Sequence, residues 1–285
     1  MNTRVQLTLR TTPALPVEAE TLLPETVTGK TRDEIEFMPL LVGNRMETVG
    51  DHFQVEITEY PQGGQAGGNG LAVLELTGDL TRFKRLGEAM SGGVMIVNGP
   101  VGFHAGALMS GGVLTITGNA GDYLGALMTG GRIEVHGSVG HFTGSAYRGL
   151  SSGMSGGTIL ILGNAGNLTG ARMRRGTIAV CGACGDLAAF SMRAGTVLVG
   201  GAVGVRAGAN MIRGTVILLT PPEELLPTFR YNYTGSPGFW PLLLASLDRA
   251  DCAFPDVGPQ TTFERYSGDF LEGGRGEILL RHAMN

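Results

Sequence analysis

Cys181 and Cys184 stand in a Cys-x-x-Cys arrangement, the spacing that serves thiol–disulfide exchange or half of a zinc site. Either chemistry needs more partners, and the third cysteine, Cys252, is far away in sequence. The histidines, His52, His104, His136, His141 and His282, are equally dispersed, with no His-x-His pair and no HExxH. Nucleophile elbows and Walker loops are absent as well, and glycine strings such as GGQAGGNG at 63–70 match phosphate-loop patterns by chance in a chain holding 48 glycines. The residues that stand out chemically are arginines. Arg174, Arg175, Arg193 and Arg213 gather in equivalent bends, with Arg172 and Arg206 in the same coils. Like charges on adjacent strands repel by roughly a few tenths of a kcal/mol per pair, so the cluster suggests an anion opposite it. A carboxylate-rich partner surface or a polyanionic ligand would serve, and a solvated basic edge is the plain alternative.

What positions these side chains is a repeat. Met90, Met109, Met128, Met154, Met173, Met192 and Met211 mark a 19-residue period, broken once by a seven-residue insertion, Tyr147 to Gly153. Self-similarity at this length marks units that bury their apolar face only by stacking on neighbours. Four residues after each Met comes a β-rich run: VMIV, VLTI, RIEV, TILI, TIAV, TVLV, TVIL. Glycine follows at the ninth position after the Met, from Gly99 to Gly201, and at the twelfth, from Gly102 to Gly204. Such fixed glycines mark bends that need positive φ or close backbone approach. Helical solenoids need longer repeats and tolerate glycine poorly, while a left-handed β-helix uses a hexapeptide rhythm that 19 does not satisfy. The expected fold is therefore all-β, a right-handed single-stranded β-helix of about eight coils at ~4.8 Å spacing.

Stacking places the methionines in one interior file of flexible thioethers. The other inward positions are Met95/Val97, Leu114/Ile116, Ile133/Val135, Ile159/Ile161, Ile178/Val180 and Val197/Val199, with Val101, Ala120, Val139, Ala165, Cys184 and Val203 on the next side. This is one narrow, dry core. Cys184 takes an inward slot and Cys181 the position of Asn98, Thr117 and His136, so the two do not easily share a metal. Asp122, Asp186 and Glu134 read as scattered among repeat positions, against a carboxylate-bearing β-helix enzyme. The insertion is expected to project from one face, as solenoid insertions at binding faces do, which adds Tyr147 and Arg148 to the candidate contact residues.

The flanks differ in kind. Residues 1–70 hold a strand, VQLTLR, a single-turn helix from Thr31 to Phe37 opened by a Thr-x-x-Glu capping pattern, and a strand from Phe53 to Ile57. Gln62 to Gly70 reads as a flexible connection and 71–80 as a degenerate first coil, so the column is set at 71–220. Residues 221–285 carry the aromatic-rich FRYNYTGSPGFW. Open β-helix ends expose strand edges, so both flanks are expected to cap, with Phe229, Tyr231, Tyr233, Phe239 and Trp240 packed on the last coil or against a partner. A formal charge of −4 argues against nucleic acid or an anionic membrane as partner. No segment approaches 18 uninterrupted apolar residues, and MNTRVQLTLR has no signal-peptide apolar region, so a cytoplasmic location is expected.

The GG-strand-G-x-x-G coils, the opening PVEAE with GKTRDEIEFMPLLVGNR and VGDHFQVE, and the closing YSGDFLEGGRGEILL together resemble the C subunit of formylmethanofuran dehydrogenase. The coils alone are also similar to the C-terminal β-helix domain of the glutamate synthase large subunit; the leader and tail favour the former. Two kinds of relative fit. One is the archaeal tungsten or molybdenum dehydrogenase, the other the formyltransferase/hydrolase complex of methylotrophic bacteria, which 19 arginines against 2 lysines favour. The resemblance implies a support role, without a catalytic, cofactor or metal ligand residue in this chain. The complex it implies uses tetrahydromethanopterin and a methanofuran-type carrier, with chemistry on subunits of A and D type and one of B type beside this chain.

Overall fold

The computed structural model describes residues 2–60, 70–248, 254 and 257–282. Alternating apolar residues make β1 (Asn2–Leu9) a strand that fully buries Val5 and Leu7. A small sheet and three short helices follow: β2 (Val17–Glu18), α1 (Pro24–Val27), α2 (Arg32–Glu36), β3 (Pro39–Val42), β4 (Arg45–Thr48) and α3 (Val49–His52). The capping pattern expected at Thr31 is realised: its hydroxyl accepts from Glu34 N, and the Glu34 carboxylate accepts from Thr31 N at 2.7 Å. Next comes β5 (Phe53–Tyr60), antiparallel to β1, which in turn lies parallel to β6 (Val73–Thr77). The N-terminal segment therefore extends the main sheet by two strands and covers its first parallel edge. Most of the flexible connection expected at 62–70 lies outside the described residues.

After β7 (Phe83–Lys84), which pairs with β2, the repeat strands stack in parallel and in register. They are β8 (Val94–Asn98), β9 (Val113–Ile116), β10 (Arg132–Val135), β11 (Thr158–Ile161), β12 (Thr177–Val180), β13 (Thr196–Val199) and β14 (Arg213–Leu218). A second file of parallel bridges joins Leu80, Val101, Ala120, Val139, Ala165, Cys184 and Val203. All seven repeat methionines are fully buried, as are the inward strand residues. The thioether methyls of Met90, Met128, Met154, Met173 and Met192 lie over the glycine three residues past the next Met. A Cβ at Gly112 would meet Met90 Cε at 2.5 Å, and one at Gly157 would meet Met128 Cε at 2.7 Å.

Of the two causes expected for the bends, close backbone approach is the one realised almost throughout. Among glycines of the ninth and twelfth positions only Gly99 has positive φ. The others are required by coil-to-coil approach: a Cβ at Gly118 would fall 2.5 Å from Pro100 N and 2.6 Å from Gly99 C.

The C-terminal segment adds β15 (Arg230–Gly235), α4 (Trp240–Asp248), β16 (Phe263–Gly268) and β17 (Arg275–Arg281). β17 pairs in parallel with β14, and β16 and β15 follow antiparallel. The expectation of one core needs correction here. The outward residues Leu160, Ala179, Leu198 and Ile217 form a second core with Trp240, Leu244, Leu247, Phe254, Phe263 and Leu279. Phe229 and Trp240 are buried in the cap, whereas Tyr231, Tyr233 and Phe239 are exposed.

Candidate functional site

At the corner that closes each coil, the chain takes the left-handed conformation at the fourteenth residue after the Met, although that residue is not glycine. His104 (φ 64°), Tyr123 (62°), Phe142 (64°), Leu168 (61°), Leu187 (60°) and Arg206 (61°) all do so. Bulky residues pay about 1–3 kcal/mol for this geometry, which persists only where the surroundings over-determine it. Here the next coil does: His104 N donates to Asp122 O, Tyr123 N to His141 O and Phe142 N to Asn167 O, at 2.8–2.9 Å. The residue before each is held too. Asp122 Oδ1 accepts from His141 N, His141 Nδ1 from Asn167 N, Asn167 Oδ1 from Asp186 N and Asp186 Oδ1 from Val205 N, at 2.8–3.0 Å. Asp122 and Asp186 are thus not scattered but share the thirteenth position of their repeats, where their carboxylates satisfy corner N–H groups. His136 is apart from His141, with Nε2 3.2 Å from Glu134 Oε1.

The corner forces a side chain outward at the fourteenth position but does not require it to be a ring. His104, Tyr123 and Phe142 nevertheless stack, with centroids 5.2 Å and 4.7 Å apart. Tyr147 folds over this file instead of projecting with its loop. Its ring lies 5.5 Å from His104 and 5.2 Å from Tyr123, and its hydroxyl is 3.0 Å from His104 Nδ1. The rest of the insertion is tied down too: Gly153 N donates to Arg172 O, and Arg172 Nη1 donates to Leu150 O at 2.7 Å. The expected projection describes the exposed tip, Arg148 to Ser151, but not Tyr147, which gains both ring contact and a hydroxyl partner by turning back. Burial is the main cause that lowers the His104 pKa; the Arg85 and Lys84 charges lower it further, while Glu88 and Glu18 act the other way. Burial also pushes the Tyr147 hydroxyl up to about 12.

These directions predict a latch that is closed over a limited pH range. The closed form binds fewer protons at His104 than the open form, so acid below about pH 6.5 favours opening. At Tyr147 the closed form binds more, so base above about pH 10 does the same. Hydrogen exchange across 147–153, corrected for intrinsic rate, should be faster at pH 5.5 than at pH 7.5; equal protection would refute the latch.

Three clefts run along this edge. The first, about 280 Å³, is lined by Glu18, Lys84, Arg85, His104 and Tyr147, and beside it Arg85 pairs with the buried Glu88 carboxylate. The second, also about 280 Å³, lies between the insertion and the corners of Phe142, Leu168 and Phe190, with Arg148 and Arg172 among its lining. The third, about 360 Å³, is more polar and includes Arg172, Ser191, Arg193, Asn210 and Glu272. The sequence-derived arginines are therefore only partly united. Arg148, Arg172 and Arg193 line clefts, whereas Arg174, Arg175 and Arg213 stand exposed at the neighbouring bend and Arg206 at the last of the left-handed corners, beyond Leu168 and Leu187. None of these seven forms an ion pair among the described residues.

The cysteines do not act as a pair. Cys184 is a free, buried thiol that burial pushes up to about 11, Cys181 is disulfide-bonded, and Cys252 lies outside the described residues. Among the described residues no group of three His, Cys, Asp or Glu side chains is placed to hold a metal, and no helix is long and apolar enough to cross a membrane.

No protein-family model matches the chain. The C subunit of tungsten-containing formylmethanofuran dehydrogenase 2 from Methanothermobacter marburgensis is 35% identical over 101 residues, 35% of each chain. The C subunit of molybdenum-containing formylmethanofuran dehydrogenase 1 from Methanothermobacter thermautotrophicus is 36% identical over 92 residues, which is 32% of this chain and 21% of that one. The matched stretch thus spans about a third or less of these curated relatives' length. The crystal structure of the formyltransferase/hydrolase complex (FhcABCD) from Methylorubrum extorquens, in complex with methylofuran, contains a chain 35% identical to this one. Its TM-score is 0.87, and the match covers 98% of this chain and 100% of that chain. The chain belongs to the family of formylmethanofuran dehydrogenase C subunits. In this family member the ring file at the fourteenth position and the polar file at the thirteenth are the features that a search for isolated motifs misses. Aligning the repeats on their methionines brings both into view.

Proposed function

We propose that this member of the C-subunit family is the structural and assembly subunit of a formyltransferase/hydrolase complex in one-carbon metabolism. In that complex a formyl group passes from formyl-tetrahydromethanopterin to a methanofuran-type carrier and leaves as formate, while this chain supplies no catalytic residue and holds no cofactor. It docks in the cytoplasm against subunits of A, B and D type, with residues 71–220 as the column and 1–70 and 221–285 as capping and docking segments. The observation that carries this reading is the whole-length likeness to a chain of the methylofuran-bound complex, where the dehydrogenase relatives match over only a third of this chain. The use of Asp122, His141, Asn167 and Asp186 as coil-to-coil acceptors also supports it, since side chains of catalytic type are spent on the scaffold.

Arg172, Arg174, Arg175, Arg193, Arg206 and Arg213, with Tyr147 and Arg148, form the proposed contact face for a carboxylate-rich partner surface. Replacing Arg174, Arg175 and Arg193 together with Ser should leave the fold intact, because all three are exposed, and should weaken assembly at least tenfold. Size-exclusion chromatography of the tagged chain with its native partners reads this, and an unchanged elution volume and subunit ratio would discard the face. Molybdopterin in the recovered complex would instead move the assignment to the molybdenum or tungsten dehydrogenase.

A further inference from the structure

The second cleft is apolar inside and basic at its mouth. Phe142, Tyr147, Leu168 and Phe190 enclose about 280 Å³, and Arg148 and Arg172 belong to the same lining. That volume lies just under the ~300–1,000 Å³ of sites that bury a drug-sized ligand, and suits one large apolar side chain used as an anchor. The walls are pre-set: Tyr147 is held on the ring file by His104, and Arg172 is fixed by its bond to Leu150 O. A guanidinium carries five donors, so that bond leaves Arg172 able to receive a carboxylate.

Beyond Gly149 and Arg172, which line both spaces, the third cleft continues with Arg193, Ser191 and Asn210 and contains one carboxylate, Glu272. Three arginines against one acid, in a chain of formal charge −4, select an acidic occupant over a basic or neutral one. The direct continuation of the second cleft into the third selects an extended one.

We propose that these two clefts receive an acidic peptide segment of a partner chain, with one apolar side chain seated between Tyr147 and Phe190 and carboxylates on Arg148, Arg172 and Arg193. The proposal rests on the docking role above and names the chemistry of one contact within it. An apolar anchor seated in an apolar cleft and flanked by charge pairs is a common form of a binding hot spot, so this contact is expected to carry a large share of the affinity.

Leu150 is 45% exposed at the rim of the third cleft, and the photo-crosslinking residue p-benzoylphenylalanine is placed there in the tagged full chain within its native complex. Mass spectrometry of the crosslinked product should map one partner segment in which Leu, Ile, Met, Phe, Tyr or Trp stands within three residues of at least two Asp or Glu. Arg148→Glu should cut the crosslink yield at least fivefold. An intact complex that gives no crosslink, or one to a segment without carboxylates, overturns the proposal. Should the unsubstituted tagged chain recover no partner, the docking role fails, and the isolated chain then decides the cleft with labelled peptides. Saturable binding of Glu-Glu-Phe-Glu-Glu, weakened at least fivefold in Glu-Glu-Ala-Glu-Glu and by Arg148→Glu, supports the cleft. Equal binding of Lys-Lys-Phe-Lys-Lys, or no binding by any of them, overturns it.

Discussion

Trp240→Ala should destabilise the C-terminal flank by about 3–5 kcal/mol, the range for removing a fully buried large aromatic. Trp240 is 0% exposed, its Nε1 donates to Gly258 O at 2.9 Å, and its ring meets Phe263 edge-on at 4.9 Å. Truncation leaves the Gly258 carbonyl without that donor and opens a void above Leu198 and Ile217, which belong to the same core. Contacts in a solenoid are made between neighbours, so the loss should appear as a separate early transition and leave the column folded. Trp240 is the chain's one tryptophan, so its fluorescence reports this flank in the unaltered protein while circular dichroism follows the column. In the variant, dye binding to the bared outward strand face should appear at lower urea than loss of β signal. Coincident transitions, or a shift under about 1 kcal/mol, would show that the flank is not held by this side chain.

Gly118→Ala should cost about 3 kcal/mol or more, at the upper end for overpacking. Its added Cβ would stand 2.5–2.7 Å from Pro100 N, Gly99 C and Gly99 O, all of them backbone atoms that no rotamer change moves aside. Relief requires parting two coils whose strands are paired in register from Val94 to Val97 with Val113 to Ile116. Gly238→Ala is the matched control, because a Cβ there meets nothing within 4 Å and φ is not positive. Urea unfolding should place the control within about 0.5 kcal/mol of the parent and Gly118→Ala far below it. Equal midpoints would mean that the coils are not in the tight contact described.

Much of the fold was legible because stacking makes each repeat position see its own equivalents. The methionines at 19-residue spacing are all buried, and the capping box at Thr31 and the strands at Val5 and Phe53 follow from local pattern alone. The second core was legible in principle, though not from the inward pattern. The outward strand residue changes from Ile96, Thr115 and Glu134 to Leu160, Ala179, Leu198 and Ile217, and apolar residues on both faces of a strand mean cover on both faces. The left-handed corners at His104, Tyr123 and Phe142 could not be read, since propensity gives no warning where the next coil's carbonyls impose the geometry. Nor could the course of the insertion, which depends on Tyr147 reaching a histidine 43 residues away. Of the arginines, their clustering in equivalent bends was legible, but not that Arg148, Arg172 and Arg193 line the second and third clefts.

Native mass spectrometry of the tagged chain recovered from its host, with formyl-transfer activity assayed on the same fractions, tests the structural role most directly. Activity should travel only with an assembly containing three further kinds of subunit, and the separated chain, still folded, should have none. Turnover by the separated chain, or its recovery without partners, would contradict that role.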